Sequence, residues 1–215
     1  MNFIGHLLVA SWERDDAAFG LGAMLPDFAS MAGMRPPRVD HAALAAGMLL
    51  HHRTDDVFHT CPSFVALSRE VFDVLIGQDV ERGPARAVAH IGVELLIDGA
   101  LLASKPALGP AYLSALTAFE ALPEGALASA ERSRLGSLSE RLRRHGIPYD
   151  YGSPELVTAR LISILAQRPR LRLSPHAAAC VGRILPDVKG RVVERLSELL
   201  SSLVHGLSHP RYSPG

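Results

Sequence analysis

Apolar residues recur along most of the chain at the three- and four-residue spacing of amphipathic helices, and the strict alternation of strands is almost absent. Asn2 stands where its side chain can cap a first helix, and Pro62 and Pro106 stand where helices end. The pattern predicts helices over residues 2–11, 40–60, 63–77, 84–103, 109–121, 127–145, 153–168 and 175–205. We therefore predict an all-α protein, a single-domain helical bundle over residues 1–208 with a flexible tail at 209–215.

A glycine-rich segment with the sequence FGLGAMLPDFASM follows the first predicted helix. Gly20, Gly22 and Pro26 favour a bend, because glycine and proline are the residues that most often interrupt helices. Asp27 follows the proline directly, where the backbone of a turn would hold its carboxylate. We expect a turn here that presents Asp27.

Ionisable side chains are concentrated in GMLLHHRTDDVFHT, which otherwise has the apolar stripe of a helix. His51, Asp55 and His59 follow one another at intervals of four residues, so they share one slowly drifting helix face. Gly47 lies one turn earlier on that face, where the lack of a side chain lets another helix or a ligand come close. The spacing predicts a ladder of three polar groups.

A second ladder lies in AVAHIGVELLIDGALLA, where His90, Glu94 and Asp98 repeat the four-residue spacing. The other positions are almost all apolar, so this helix must be largely buried. A buried carboxylate is costly unless it is paired or bound to a cation, and the segment itself offers few partners. The partner is expected from elsewhere in the chain.

We expect the two ladders to face one another and to be joined by His6 and Asp27, so that the buried ionisable groups of each ladder find partners in the other. Imidazole and carboxylate ligands together suit Mn²⁺, Fe²⁺ or Zn²⁺, and also Mg²⁺ when water supplies other ligands. Such a cation would activate water and stabilise charge on a phosphoryl oxygen, while a spare carboxylate or histidine transfers protons. The alternative is an internal salt-bridge network between helices.

Composition narrows the class of protein. The chain has 215 residues, 48% apolar and 20% charged, and its 22 basic and 22 acidic residues cancel, so no overall charge draws it to nucleic acid or to an anionic membrane. Polar residues bracket the apolar run before Trp12 too closely for a signal peptide or an anchor. Cys61 and Cys180 suggest no disulfide framework. We expect a cytoplasmic protein without nucleic-acid or membrane partners.

Several segments together carry a family resemblance. MNFIGHL at the start, MLPDF at 24–28, AAGMLLHHRTD at 45–55, the ExxxD of Glu94 and Asp98, and AQRPRL at 166–171 occur in the order and spacing of acyl-carrier-protein phosphodiesterases, so the chain resembles a divergent member of that family. These enzymes are helical, metal-dependent hydrolases, distantly similar to HD-type phosphohydrolases. They remove the 4′-phosphopantetheine arm from the serine of holo acyl carrier protein. The resemblance implies an HD-like fold, use of Mn²⁺ and a place in fatty acid biosynthesis.

The resemblance also implies a set of site residues. Carried over by position, the expected metal ligands are His6, Asp27, His51, Asp55 and Asp98. Asp55, His59 and Glu94 are expected to act in catalysis, the last two by transferring protons. However, His59 and Glu94 both stand where the family usually has aspartate. The change from aspartate to histidine could alter the preferred metal, the substrate or the reaction itself.

An acidic carrier protein would need a basic surface, and two segments, ERSRLGSLSERLRRHG and AQRPRLRL, offer one. In the second segment, three arginines alternate with apolar residues and so provide both charge and contact area. The alternative is a solvated helix face and loop. Arg53 falls off the ladder and is expected to be solvated or to contact a phosphate. The arginines in question are Arg168, Arg170 and Arg172, with Arg132, Arg134, Arg141, Arg143 and Arg144 in the first segment.

The leading hypothesis is therefore a cytoplasmic, metal-dependent phosphodiesterase that acts on holo acyl carrier protein. An HD-like phosphohydrolase acting on a small nucleotide or another phosphoester is one alternative. A non-catalytic helical protein that kept the fold and binds a partner is the other.

Overall fold

Residues 1–208 are described by a computed structural model, and within them the chain forms nine α-helices and two short 3₁₀-helices, at Tyr149–Gly152 and Pro169–Leu171. The all-α class predicted from the helical periodicity is confirmed. This part of the chain contains no β-strand, and the tail predicted at 209–215 lies outside the described residues. The α-helices are α1 Phe3–Glu13, α2 Ala17–Met31, α3 Ala42–Phe58, α4 Pro62–Ile76, α5 Arg82–Ser104, α6 Leu108–Ala118, α7 Ser129–His145, α8 Pro154–Ala166 and α9 Pro175–Ser208.

The chain divides into two compact units. Unit 1 consists of Met1–Asp56 and Ser104–Pro148, and unit 2 consists of Val57–Ala103 and the described part of Tyr149–Gly215. In unit 1, α1 and α2 pack on each other and on α6, which also contacts α7. In unit 2, α9 packs against α4 and α8. The HD-like arrangement and the single-domain organisation stay predictions.

The turn predicted in the glycine-rich segment is wrong, because α2 runs unbroken from Ala17 to Met31. Asp16 caps this helix by accepting hydrogen bonds from two backbone amides of the first turn. A Cβ atom on Gly22 would collide with the backbone of α3, so this glycine allows two helices to approach closely. Pro26 lies inside the helix and is buried, and tertiary packing outweighs its missing amide donor. Asp27 therefore projects from a helix and not from a turn.

The bounds of α3 also differ from those predicted. The helix predicted over 40–60 begins at Ala42, and His41 caps it, since its Nδ1 atom accepts a hydrogen bond from the Leu44 amide at 3.4 Å. A Cβ atom on Gly47 would collide with the backbone of α2, which confirms the close approach predicted at this glycine. The helix ends at Phe58, and His59 lies beyond it.

Among the described helices, α5 is long and apolar enough to cross a membrane, judged by length and composition alone. However, 61% of its apolar window is buried inside the protein. Gly99 lies where a Cβ atom would collide with the carbonyl group of Tyr151, so the backbone is closely packed here as well. Internal packing accounts for the apolar composition of α5, and Asp98 within it is fully buried.

Candidate metal centres

Three helices of unit 1 bring four ionisable side chains together, which we call the His6 cluster: His6 of α1, Asp27 of α2, and His51 and Asp55 of α3. One ligand atom from each of His6, Asp27 and His51 lies within 4.8 Å of the other two. Two ligands on opposite sides of a cation, each bound at about 2.1 Å, lie about 4.2 Å apart. Side-chain shifts of less than about 1 Å would therefore place all three atoms around one ion.

Asp55 connects the two imidazoles of the His6 cluster. Its Oδ2 atom lies 3.3 Å from His51 Nε2, which confirms that the four-residue spacing puts these side chains on one face. Its Oδ1 atom lies 3.3 Å from His6 Nε2. The same oxygen accepts a hydrogen bond from the amino group of Met1 at 2.9 Å, a partner that the residue pattern did not indicate. Asp55 is thus placed either to bind a cation or to orient the histidines that do.

His51 is held in one orientation. Its Nδ1 atom lies 2.9 Å from the carbonyl oxygen of Ala23 in α2. Because a carbonyl oxygen can only accept, Nδ1 donates its proton to Ala23. Nε2, 3.3 Å from Asp55 Oδ2, is then the nitrogen that donates to the carboxylate when the ring is protonated or binds a cation when it is not. The rings of His6 and His51 stack with centroids 3.8 Å apart. A backbone contact of this kind is usual for histidines that bind metals through their other nitrogen.

Burial gives the His6 cluster a closed side and an open side. The side chains of His6 and His51 are 0% and 5% exposed, whereas those of Asp27 and Asp55 are 29% and 30% exposed. Burial lowers the pKa of His6 to about 3, and the nearby Asp55 offsets this only in part, so His6 is neutral at pH 7. Its Nδ1 atom is buried and has no hydrogen-bond partner among the described residues.

The pKa of His51 moves in the opposite direction. Burial acts to lower it, but the contact with Asp55 and the negative charges of Asp27 and Asp55 outweigh burial and raise the pKa above its ordinary value. A divalent cation would take the place of the proton that these carboxylates attract. Two imidazole nitrogens beside carboxylate oxygens fit Mn²⁺, Fe²⁺ or Zn²⁺.

A second group of possible ligands lies in unit 2, and we call it the His59 cluster: His59, just past the end of α3, with His90 and Glu94 of α5. The Oε1 atom of Glu94 lies 3.3 Å from His90 Nε2 and 3.9 Å from His59 Nε2. The single ladder predicted for His51, Asp55 and His59 is therefore divided. Because α3 ends before His59, this side chain joins the second ladder.

The remaining site residues stay predictions. Asp98 is fully buried in α5 of unit 2, and its role as a metal ligand stays a prediction. Arg53 is exposed, with a nitrogen 3.8 Å from a carboxylate oxygen of Glu13, and its contact with a phosphate stays a prediction as well.

The arginines of the predicted basic surface differ in their surroundings. In α7, Arg132 donates to the carbonyl oxygens of Leu122 and Pro123, and Arg143 pairs with Glu120 and Glu140 at 2.8 and 2.6 Å. These two side chains are engaged within unit 1. The three arginines around the second 3₁₀-helix are exposed, so the docking hypothesis rests mainly on them: Arg168, Arg170 and Arg172.

No protein-family model matches the chain, and no significant match is found among curated proteins or among solved structures. The resemblance to acyl-carrier-protein phosphodiesterases therefore stays a prediction that rests on the quoted motifs. What the geometry itself supplies is a half-buried cluster of imidazole and carboxylate groups that fits a divalent cation.

Proposed function

We propose that the chain is a metal-dependent phosphodiester hydrolase whose cation binds at the His6 cluster. The convergence of His6, Asp27 and His51 from three helices supports this proposal most strongly. A salt-bridge network accounts less well for the cluster, because a neutral His6 contributes no charge to it. A cation, by contrast, uses the lone pairs of both imidazoles and the charge of the carboxylates.

The residues of the His6 cluster have different roles in the proposed hydrolysis. A bound cation supplies Lewis-acid stabilisation of a phosphoryl oxygen and makes water more acidic. The buried His6 and His51 exclude water from the inner side, while Asp27 and Asp55 lie on the side that a substrate can reach. Asp55 lies 3.3 Å from a nitrogen of each imidazole, so its carboxylate would lie beside a cation held there and would accept the proton that the attacking water loses.

The proposed substrate is holo acyl carrier protein, and the resemblance to the phosphodiesterase family supports this choice. The oxygen of water forms a bond to phosphorus, the bond between phosphorus and the serine oxygen breaks, and that oxygen takes up a proton. The products are 4′-phosphopantetheine and the carrier protein with a free serine. The exposed Arg168, Arg170 and Arg172 supply positive charge for an acidic carrier protein. Mn²⁺ is the proposed cation.

Mass spectrometry of the carrier protein tests the proposal. We expect incubation of holo acyl carrier protein with the chain and Mn²⁺ to remove the mass of the phosphopantetheine arm, and removal of metal to stop the reaction. Asp27→Asn and His51→Gln should each lower the rate by more than the roughly 10- to 100-fold that is lost with an outer partner of a metal ligand. Asp56→Asn, which changes an exposed carboxylate beside Asp55, should leave the rate unchanged.

Two other outcomes would change the conclusion. If the carrier protein stayed intact but a small phosphodiester such as bis(p-nitrophenyl) phosphate were hydrolysed in a reaction that needs Asp27, the chain would be a hydrolase with another substrate. If neither substrate were hydrolysed and no metal bound, the proposal would fail, and a non-catalytic binding protein would be the better description.

A further inference from the structure

We propose that the His59 cluster is a separate metal site for a transition-metal ion that prefers nitrogen ligands, with Zn²⁺ as the best match. Its three ligand atoms lie within 4.8 Å of one another and belong to His59, His90 and Glu94. All three residues lie in unit 2, whereas the His6 cluster lies in unit 1. The inference therefore stands on its own residues and does not need the proposed function.

The local structure brings the three side chains together. His90 and Glu94 are one turn apart on α5, so their side chains lie on the same face, and Nε2 of the first is 3.3 Å from Oε1 of the second. The turn after α3 adds His59, whose Nε2 atom lies 3.9 Å from the same oxygen. Ligand atoms of one tetrahedral zinc ion, each bound at about 2.1 Å, lie about 3.4 Å apart, so the first distance already fits and the second needs a shift of about 0.5 Å.

Ion pairing explains only part of this arrangement. The rings of His59 and His90 stack almost in parallel, with centroids 4.9 Å apart and an angle of 16° between their planes. A salt bridge to Glu94 needs one imidazole, whereas a cation uses a nitrogen of each ring together with the carboxylate oxygen. A shared ion therefore accounts for the presence of both histidines.

Aromatic side chains hold the two imidazoles in place. Phe64 packs against both rings in T-shaped contacts, with centroids 5.5 Å from His59 and 5.6 Å from His90. Phe58 also packs against His59, with ring centroids 5.2 Å apart. Packing that restricts the rotamers of ligands lowers the cost of ordering them when a cation binds.

An ion can reach the cluster from solvent. The side chains of His59 and His90 are 34% and 48% exposed, and that of Glu94 is 13% exposed. His90 also lines a surface cavity of about 250 Å³. Three protein ligands and access to solvent are the composition of zinc sites that keep a position for water or another small ligand.

The ligand set also indicates which cation binds. Two imidazoles and one carboxylate favour Zn²⁺ over Mg²⁺ or Mn²⁺, which prefer oxygen ligands. The His6 cluster is richer in carboxylates, so the two sites should differ in selectivity. We therefore propose metal binding for His59 and Glu94 in place of the proton transfer predicted from the sequence. A lone pair bound to a cation cannot take up a proton.

Calorimetric titration of the metal-free, untagged chain with Zn²⁺ tests the inference, and Co²⁺ provides a visible spectrum of the bound ion. We expect His90→Ala and Glu94→Gln each to bind one equivalent of Zn²⁺ fewer than the unaltered chain. The double variant Asp27→Asn, His51→Gln should keep that equivalent. His205→Ala, which removes an exposed histidine of unit 2 outside the cluster, should leave the stoichiometry unchanged. Circular dichroism checks that each variant keeps its helices.

The outcomes separate this inference from the proposed function. Loss of one equivalent only in the His90 and Glu94 variants supports the second site, even if the His6 cluster binds nothing. If these variants bind as much Zn²⁺ as the unaltered chain, or if all binding disappears with Asp27 and His51, the second site is overturned. An equivalent that His205→Ala removes as well would identify surface binding, which also overturns it.

Discussion

The two stacked imidazoles of the His6 cluster have pKa values that are shifted in opposite directions. His6 is completely buried and its pKa is lowered to about 3, whereas the pKa of His51 is raised because its carboxylate neighbours outweigh burial. A metal ion therefore competes with a proton mainly at His51, because His6 already offers a neutral nitrogen at pH 7. Acid should weaken binding through the protonation of His51 before it affects His6.

The buried His6 should make the metal-free protein less stable in acid. Between its ordinary pKa of 6.5 and its native pKa of about 3, the unfolded chain binds a proton that the folded chain excludes, so stability falls as pH falls. We expect the unaltered protein to lose about 2 kcal/mol more than His6→Gln between about pH 7 and about pH 5. Urea unfolding in the presence of a chelator measures this difference.

His51 does not obscure that comparison. Since its folded pKa is raised, its contribution is fully present below pH 6.5 and is lost as pH rises through the folded pKa. His51 is present in both the unaltered protein and His6→Gln, so this change is common to the two and cancels in the difference. Equal losses of stability in the two proteins would contradict the burial of a neutral His6.

Part of the His6 cluster could be predicted from the sequence because it is local. The spacing of His51 and Asp55 fixes their shared face, whatever the rest of the chain does. His6 and Asp27 were predicted to join it from the need of buried carboxylates for partners and from the family resemblance, because their meeting depends on how α1 and α2 pack against α3, which no spacing encodes. The amino group of Met1 was missed, because its contact with Asp55 joins residues that are distant in sequence.

At the level of helices, close contact between α2 and α3 positions the ligands. Gly22 and Gly47 each lie where a Cβ atom would collide with the backbone of the other helix. This approach also brings the Ala23 carbonyl oxygen to His51 Nδ1 at 2.9 Å. The glycines therefore join the packing of the two helices to the orientation of a candidate ligand.

Enlarging one of these glycines should disturb both stability and metal binding. We expect Gly47→Ala to lower the free energy of unfolding by about 1–3 kcal/mol, because overpacking pushes α2 away from α3, and to weaken Mn²⁺ binding as well. The matched control is Gly190→Ala in α9, where an added Cβ meets no atom within 4 Å. That change should stabilise the helix by up to about 1 kcal/mol. Denaturant unfolding measures the free energy of unfolding of both variants. Equal changes in Gly47→Ala and Gly190→Ala would disprove the close contact between α2 and α3.

The apolar periodicity predicted well where helices lie, whereas glycine and proline residues predicted poorly where helices are interrupted. The apolar spacing located α4 to α9 closely, since it reflects the faces that are buried. Gly20, Gly22 and Pro26 do not interrupt α2, because tertiary packing of a buried helix outweighs their poor helix propensity. The end of α3 at Phe58 was missed by only about two residues, a usual error for a helix end. Here it moved His59 from one ladder to the other.

At the level of the whole molecule, positive and negative charges are equal in number. The 22 basic and 22 acidic residues cancel, so any attraction for an acidic protein must come from a local surface. In α7, Arg132 and Arg143 are held by partners within unit 1. The exposed arginines of the RPRLRL segment are therefore the better candidates, and they are far from the His6 cluster in sequence.

Reversing this charge should affect recognition of a carrier protein without affecting chemistry. We expect the triple variant Arg168→Glu, Arg170→Glu, Arg172→Glu to raise the KM for holo acyl carrier protein by about tenfold or more with little change in kcat, since surface charges act mainly on association. Hydrolysis of bis(p-nitrophenyl) phosphate should stay the same, because that small substrate has no acidic protein surface to bind these arginines. Arg69→Glu, an exposed arginine of α4, is the matched control and should change neither constant. If the triple variant kept its KM for the carrier protein, this segment would not be the docking surface. If the variant lost activity on both substrates equally, the three arginines would act on folding or on the catalytic site and not on docking.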